Sequence, residues 1–521
     1  MAGVRSSIQQ CADTMRAGSA QREAKAPIIP ASGFIAAIVD PGSYVSWDSP
    51  PRHPVHDTGY SEALEAARQR SGKDEAVLTG AGTIDGKAVV IIAGEFAFLA
   101  GSIGLATASR IIGALERATL EGLPVVASPS SGGTRMQEGT PAFLAMALIA
   151  SAVESHKSAG NPYLVYLRHP TTGGAMASWG SLGHMTFAQP GALLGFLGPR
   201  VYESLHGEAF PSGVQTAENL TLHGVVDAVV PLGGLRSVLV NSLRYARHGT
   251  SSYERAGSPH GSEALWGVFA AVPPAVSEGK EWDAVLRSRN GGRPGLPELL
   301  SAAAHDVMLL DTGPVTVALA SFGGVRCVVV GQDRHLQNAG QLIGPRHLAT
   351  ARRGMRLADQ LGLSLLTVID TPGAELSADA EEGGLAREIA RCLALLPAIS
   401  VPTLSFIIGQ GTGGAAIALL PADKIMCAQH AWLAPLAPEG ASAILHRDTS
   451  RAPELAGNLR ITADDLVACG VVSAVVGEEP DAAAEPMDFC RRAGLVIEQN
   501  LLELHELRRS NQTAVSAVGL A

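Results

Sequence analysis

Several short stretches of this chain are apolar at almost every position. AVVIIA (Ala88–Ala93), LPVVASP (Leu123–Pro129), PYLVYL (Pro162–Leu167) and PTLSFII (Pro402–Ile408) are of this kind. Their length and their content of β-branched residues predict strands covered on both faces. LATASRIIGALERA (Leu105–Ala118), between the first two, is apolar on one face only, with Ile111, Ile112 and Leu115 near helical spacing. A chain that passes from strand to loop to helix to strand in this way predicts an α/β fold.

The pattern repeats. Leu123 and Leu363 open similar strands, Pro162 and Pro402 open two more, and the glycine pairs start at Gly173 and Gly413; each separation is 240 residues (363 − 123, 402 − 162, 413 − 173). One offset at three separate places predicts two homologous domains in tandem. A mobile tail is expected over 1–30, a first domain over 31–245 and a second over 280–482. The Ser/Gly/Pro/His-rich stretch His248–Glu263 places a linker within 246–279. A terminal helical segment, Ala482–Arg509, and a tail fill 483–521.

The 521 residues are too many for one ordinary core, which agrees with two domains. A net charge of −10 with no basic block argues against nucleic acid as a partner. The longest apolar run, Ala142–Val153, ends at Glu154, short of the ~20 residues a membrane span needs. FIAAIV (Phe34–Val39) is too short for a secretory signal. Cys11, Cys327, Cys392, Cys427, Cys469 and Cys490 form no CxxC pair, so neither a zinc ribbon nor a redox motif is expected. The reading is a cytoplasmic protein without a membrane anchor.

The candidate chemistry lies where buried strands end. HPTTGGAMASWG (His169–Gly180) and GQGTGGAAIALL (Gly409–Leu420) hold paired glycines and no obvious acid, base or nucleophile. In open α/β sheets ligands bind beyond the carboxyl ends of strands. Adjacent glycines there either permit a tight strand–helix turn or aim backbone N–H groups, at the positive end of a helix dipole, at a developing oxyanion. GEFAFLAGSIG (Gly94–Gly104) admits a similar choice: Gly101, Ser102 and Gly104 either close a tight loop or offer N–H groups to a ligand. In SGGTR (Ser131–Arg135), Gly132 and Gly133 precede Arg135, which is either a phosphate contact or a solvated or ion-paired arginine. Arg200 is a weaker candidate of the same type. IDGK (Ile84–Lys87) lacks the glycine and hydroxyl of a phosphate loop, and Asp-Gly between apolar runs predicts a hairpin. Neither GxSxG nor HExxH occurs.

Longer motifs surround these glycines. SSGGTRMQEGT (Ser130–Thr140), PTTGGAMASWGSLGH (Pro170–His184) and AQPGALLGFLGPRV (Ala188–Val201) together resemble the beta, or carboxyltransferase, subunit of biotin-dependent acyl-CoA carboxylases. IDTPGAELSADAEEGGLAREIARCL (Ile369–Leu393), IGQGTGGAAIALLPADKI (Ile408–Ile425) and PEGASAIL (Pro438–Leu445) resemble the alpha carboxyltransferase subunit of bacterial acetyl-CoA carboxylase. Both halves in one chain resemble the fused, propionyl-CoA-carboxylase-type beta subunit. The resemblance covers about residues 85–245 and 315–478.

This resemblance implies two crotonase-like domains, each a spiral of ββα units. It implies acyl-CoA on the first domain, biotin on the second, and a composite site across a dimer interface, commonly in a hexamer. Gly173 and Gly174 would hold the enolate oxygen of the thioester. Gly414 and Ala415, beside Gly413, would hold the ureido oxygen of biotin. Gly101, Ser102, Gly104, Gly132, Gly133 and Arg135 would line the CoA side, and Ile417 the acyl pocket. The expected reaction moves CO₂ from N-carboxybiotin to the α-carbon of an acyl-CoA and supplies lipid or polyketide synthesis with a malonyl-type thioester. No metal is expected.

Departures sharpen the reading. None of the six lysines (Lys25, Lys73, Lys87, Lys157, Lys280, Lys424) stands in Met-Lys-Met, and there is no room for an ATP-grasp domain. Biotin and its carboxylation are therefore expected from a partner, a biotin carboxylase and carboxyl carrier subunit. Ile417 stands where propionyl-type members carry Asp, and His184 where bacterial beta subunits commonly carry Asp. Two rivals stay open: a malonyl-type thioester decarboxylase on the same scaffold, and a non-catalytic assembly or regulatory subunit.

Overall fold

The computed structural model describes residues 26–53, 58–199, 202–203, 207–245, 280–446 and 448–518. Arg200, Cys11 and the predicted linker lie outside these residues. Among them the chain forms two large sheets. The first has seven strands in the order Val45–Ser46, Val77–Ile84, Lys87–Gly94, Val125–Ser128, Tyr163–Leu167, Met185–Ala188 and Ala228–Val229. Its first three strands are antiparallel and the rest parallel. The second sheet repeats this: His305–Asp311, Val315–Phe322 and Val325–Gln332 antiparallel, then Ser364–Thr371, Thr403–Thr412, Lys424–Ala428 and Ala474–Val476 parallel. Trp432–Ala434 pairs with the far end of Thr403–Thr412.

The apolar runs form these strands because both faces are covered: Tyr163–Leu167 and Thr403–Thr412 are buried at every position. Asp85 and Gly86, at φ 54° and 74°, make the predicted hairpin turn between the second and third strands. Gly323 and Gly324, at φ 53° and 88°, do the same in the second domain. The helices that follow, Leu105–Leu120 and Pro345–Leu361, both begin after a glycine cap, Gly104 at φ −102° and Gly344 at φ −101°.

The N-terminal boundary is corrected. Residues 26–30, expected in a mobile tail, are tied down: Ile29 O accepts from Arg168 Nη1 at 2.6 Å and Pro27 O from Gln189 Nε2 at 2.8 Å. At the other end the helix Pro486–Val518 packs on the second sheet. No helix of the described residues is long and apolar enough to cross a membrane.

The two domains share a continuous apolar core, in which the helices Gly139–Ser158 and Leu385–Leu395 pack together. Polar contacts at this seam run both ways. From the first domain, Thr140 Oγ1 donates to Leu433 O (3.1 Å) and Leu459 O (3.0 Å) of the second. From the second, the buried Glu381 carboxylate accepts from Phe196 N (2.9 Å), Leu197 N (2.7 Å) and Gln215 Nε2 (2.9 Å) of the first.

Candidate active site

Both glycine turns line one cavity of about 1410 Å³ within a single chain. The resemblance places a composite site across two copies; here the two turns already share a space in one. Gly173 and Gly174 follow the short strand Thr171–Thr172, which pairs with Leu194–Gly195. Gly413 and Gly414 follow Thr403–Thr412 directly. Gly173 has φ 61° and Gly413 φ 62°, a left-handed conformation that costs a residue with a Cβ about 1–2 kcal/mol. The same backbone therefore recurs 240 residues apart for the same steric reason.

The expected helix dipole is corrected. Gly173–Ala175 is one 3-10 turn and Gly413–Ile417 a five-residue helix, too short to sum many peptide dipoles. What each turn has is first-turn N–H groups, which lack intrahelical acceptors. Gly173 gives its N–H to Phe196 O at 3.0 Å, so the donor this pair has for a ligand is Gly174. Phe196 also reaches the second turn. A Cβ on Gly414 would lie 2.6 Å from Phe196 Cζ and 2.5 Å from Ile389 Cδ1, so glycine is required there. Phe196 lies inside the motif Ala188–Val201, where nothing local marks it as a site residue.

The walls are largely apolar and small. Among the described lining residues His169 and Glu218 are the titratable ones, and both are engaged. His169 Nδ1 accepts from Leu193 N at 3.0 Å, and Glu218 from Gly191 N at 2.8 Å. Ile417 is buried and lies on the wall beside Gly414, while Ala415 is buried with its carbonyl accepting from Gln332 Nε2 at 2.7 Å. His184, away from the cavity lining, exchanges hydrogen bonds with the Tyr163 backbone: His184 N donates to Tyr163 O and Tyr163 N to His184 Nδ1.

A polar network backs the second turn. Asp370 Oδ1 accepts from Gln410 N at 3.0 Å, and its Oδ2 faces Arg334 Nη1 at 3.4 Å. Burial pushes the Asp370 carboxyl above the usual range, with Arg334 opposing. Arg293 donates to Ile408 O at 3.0 Å and pairs with Glu478, which also accepts from His430 Nδ1 at 2.7 Å. Burial alone would raise the Glu478 pKa, but the bonds from His430 and Arg293 outweigh it and hold the carboxyl well below the carboxylate range.

Four of the expected CoA-side contacts are corrected. Arg135 is fully buried: its donors reach Glu75 Oε1 (2.5 Å), Ser102 O (2.8 Å), Tyr60 Oη (3.2 Å) and Glu138 Oε1 (3.4 Å). Burial opposes its charge, but Glu75 and then Glu138 more than offset this, so it is an ion-paired internal arginine rather than a phosphate contact. Gly101 and Ser102 spend their N–H groups on Phe98 O and Leu99 O, and neither lines the cavity. Gly104 also lies off the lining, and a Cβ on it would lie 2.2 Å from Glu138 Oε1. All three serve a tight loop. Gly132 and Gly133 do line the cavity, and Gly133, at φ 112°, brings its backbone against Gly173 and Gly174.

Comparison with known proteins agrees with this architecture. Residues 34–234 match a family model described as a carboxyl transferase domain, and residues 280–516 one described as acetyl co-enzyme A carboxylase carboxyltransferase-like. A probable biotin-dependent acyl-coenzyme A carboxylase beta3 subunit of Mycobacterium tuberculosis is 52% identical over 480 residues, covering 91% of this chain and 93% of that protein. The acetyl-coenzyme A carboxylase carboxyl transferase subunits beta/alpha of Salinispora arenicola are 36% identical over 87% of this chain and 83% of that protein. A transcarboxylase 12S crystal structure covers 97% of this chain and 96% of that one, with 19% identity and a TM-score of 0.38. The two domains are carboxyltransferase domains. The chain belongs to the beta, or carboxyltransferase, subunits of biotin-dependent acyl-CoA carboxylases.

Proposed function

We propose that this chain transfers a carboxyl group from N-carboxybiotin, held by a partner carrier, to the α-carbon of an acyl-CoA. The observation that carries this reading is one large, mostly apolar cavity bordered by two glycine turns, with the two titratable residues among its described lining already engaged. The biotin donor supplies CO₂ and a ureido nitrogen able to take the α-proton, so the protein need not furnish a general base. It has to hold two polar oxygens at a fixed separation and exclude water.

The residues suit that task. On the first domain Gly174 is the N–H donor for the thioester oxygen, which gains charge as the α-carbon loses its proton. On the second, Gly414 on the cavity wall is the backbone donor for the urea oxygen. Losing one such donor typically costs about 10²–10³ in rate. Ile417 makes the corner beside Gly414 apolar, which suits an acyl chain and not a charged group. The biotin carboxylase and carrier come from a partner subunit, the chain assembles into oligomers built from dimers, and it works in the cytoplasm.

The test is transfer in reverse. Purified protein is given malonyl-CoA or methylmalonyl-CoA, with and without free biotin, and loss of the carboxyl group is followed. Loss that requires biotin is expected. Loss without biotin identifies a decarboxylase. No loss, from folded protein that binds CoA thioesters, identifies a non-catalytic subunit.

A further inference from the structure

One residue on the cavity wall, Thr412, carries a buried hydroxyl with no partner among the described residues. Thr412 is 3% exposed, and its Oγ1 makes no hydrogen bond among the described residues. It lines the cavity directly before Gly413 and Gly414. Threonine ahead of a helix ordinarily turns its hydroxyl onto the helix N–H groups. Thr412 does not: it holds the cap position of Gly413–Ile417 with no side-chain capping bond. Its methyl Cγ2 is the group nearest Gly373, 3.9 Å from where a Cβ on that glycine would stand. A buried hydroxyl without a partner is unfavourable, and native structures rarely leave one so.

The equivalent residue in the first domain differs. Thr172 also precedes a glycine pair and lines the same cavity, but its Oγ1 donates to Ser131 O at 3.5 Å. The unpaired hydroxyl therefore belongs to the second turn and is not imposed by the shared backbone.

We infer that Thr412 Oγ1 donates a hydrogen bond to the urea carbonyl of biotin, beside the N–H of Gly414. The inference rests on the function proposed above. A urea oxygen has two lone pairs and gains negative charge when the carboxyl group leaves its neighbouring nitrogen. It accepts two donors, and one backbone N–H and one hydroxyl satisfy both. Thr412 and Gly414 together then disfavour molecules of similar shape that lack the oxygen, which would leave both donors unpaired.

The experiment measures binding as well as turnover. Biocytin, the lysine amide of biotin, is titrated calorimetrically into wild type, Thr412→Val and Thr412→Ser, and propionyl-CoA is titrated in parallel. Thr412→Val keeps the shape and removes the hydroxyl; Thr412→Ser keeps the hydroxyl. Thr412→Val is expected to weaken biocytin about tenfold, the effect of one hydrogen bond to a polar oxygen. Propionyl-CoA affinity should stay within about twofold and Thr412→Ser should bind both ligands much as wild type does. The Michaelis constant for biocytin in the reverse assay should rise in the same order. Unchanged biocytin binding by Thr412→Val, or a loss confined to propionyl-CoA, overturns the inference while leaving the proposed function standing. A folded wild type that binds propionyl-CoA but neither binds nor uses biocytin overturns both.

Discussion

The two domains repeat a backbone and hold it with different chemistry. At the end of the buried strand in the first domain, Arg168 is fully buried and bonds to neutral acceptors: Ser128 Oγ, Ser128 O and Gly94 O, together with Ile29 O. Burial lowers its pKa to about 10. At the matching place in the second domain, Ile408 O is instead bonded by Arg293, and that arginine is paired with Glu478. One turn rests on a charge solvated by carbonyls, the other on ion pairs. The shape of a glycine turn is fixed by sterics and survives duplication. The polar support around it is free to diverge, and with it what each turn can bind.

The largest expected effect comes from breaking the ion-paired side. Glu478→Gln leaves Arg293 buried without its partner, which should cost about 3–5 kcal/mol. The same pair sets an acid limit. A carboxyl whose pKa is depressed in the folded state contributes stability above its unfolded value, near 4.5, and loses it as pH falls toward the folded value. Urea unfolding from pH 7 to pH 3 should therefore show the gap between wild type and Glu478→Gln narrowing below about pH 4.5. A constant gap would mean the pair contributes through packing and not charge.

The two left-handed glycines come next, because their φ angles match and their surroundings do not. A Cβ on Gly173 would lie 3.1 Å from Gly133 Cα, which is backbone and cannot yield easily, whereas on Gly413 the nearest atom is Pro435 O at 3.4 Å. Gly413→Ala should cost about 1 kcal/mol of left-handed strain. Gly173→Ala adds overpacking and should cost about 3 kcal/mol in all. Equal losses in thermal unfolding would show that strain alone matters and that the contact between the Gly133 and Gly173 loops relaxes freely.

Much of this was legible in the sequence. Continuous apolar runs gave the strands, Asp85-Gly86 the hairpin, and the 240-residue offset the duplication, since each is a local or periodic signal. The glycine turns were legible as motifs. Arg135 stayed open between two readings because Glu138, three residues on, is its weaker partner, and the stronger one, Glu75, stands 60 residues away. Glu381 lay in a quoted motif, but its acceptors' role depends on Phe196, 185 residues earlier. The unpaired state of Thr412 was illegible in principle, because Thr172 occupies the same motif position and differs only in what the fold brings to it.

The seam between domains offers the finest comparison, since each side reaches into the other. Glu381 holds Phe196 N, Leu197 N and Gln215, and Phe196 in turn touches both turns through its carbonyl and its ring. Thr140 holds only the carbonyls Leu433 O and Leu459 O, which have further lone pairs for other donors. Removing the first leaves donors unsatisfied; removing the second leaves acceptors that are more easily satisfied. Glu381→Ala should therefore cost about 2–3 kcal/mol, and Thr140→Val about 1 kcal/mol. Burial raises the Glu381 pKa and the bonds from Leu197 and Phe196 oppose it; Glu381→Gln loses the charge and also sets an NH₂ against a backbone N–H that one carboxylate oxygen now accepts, so it should cost nearly as much as Glu381→Ala. Activity ought to separate the variants further than stability does. Glu381→Ala frees Phe196, whose carbonyl holds Gly173 N and whose ring abuts Gly414, and its reverse-transfer rate should drop with thioester binding largely kept. If Thr140→Val lowered that rate as much, the spacing of the turns would have to be set by the helix packing as a whole and not by Phe196.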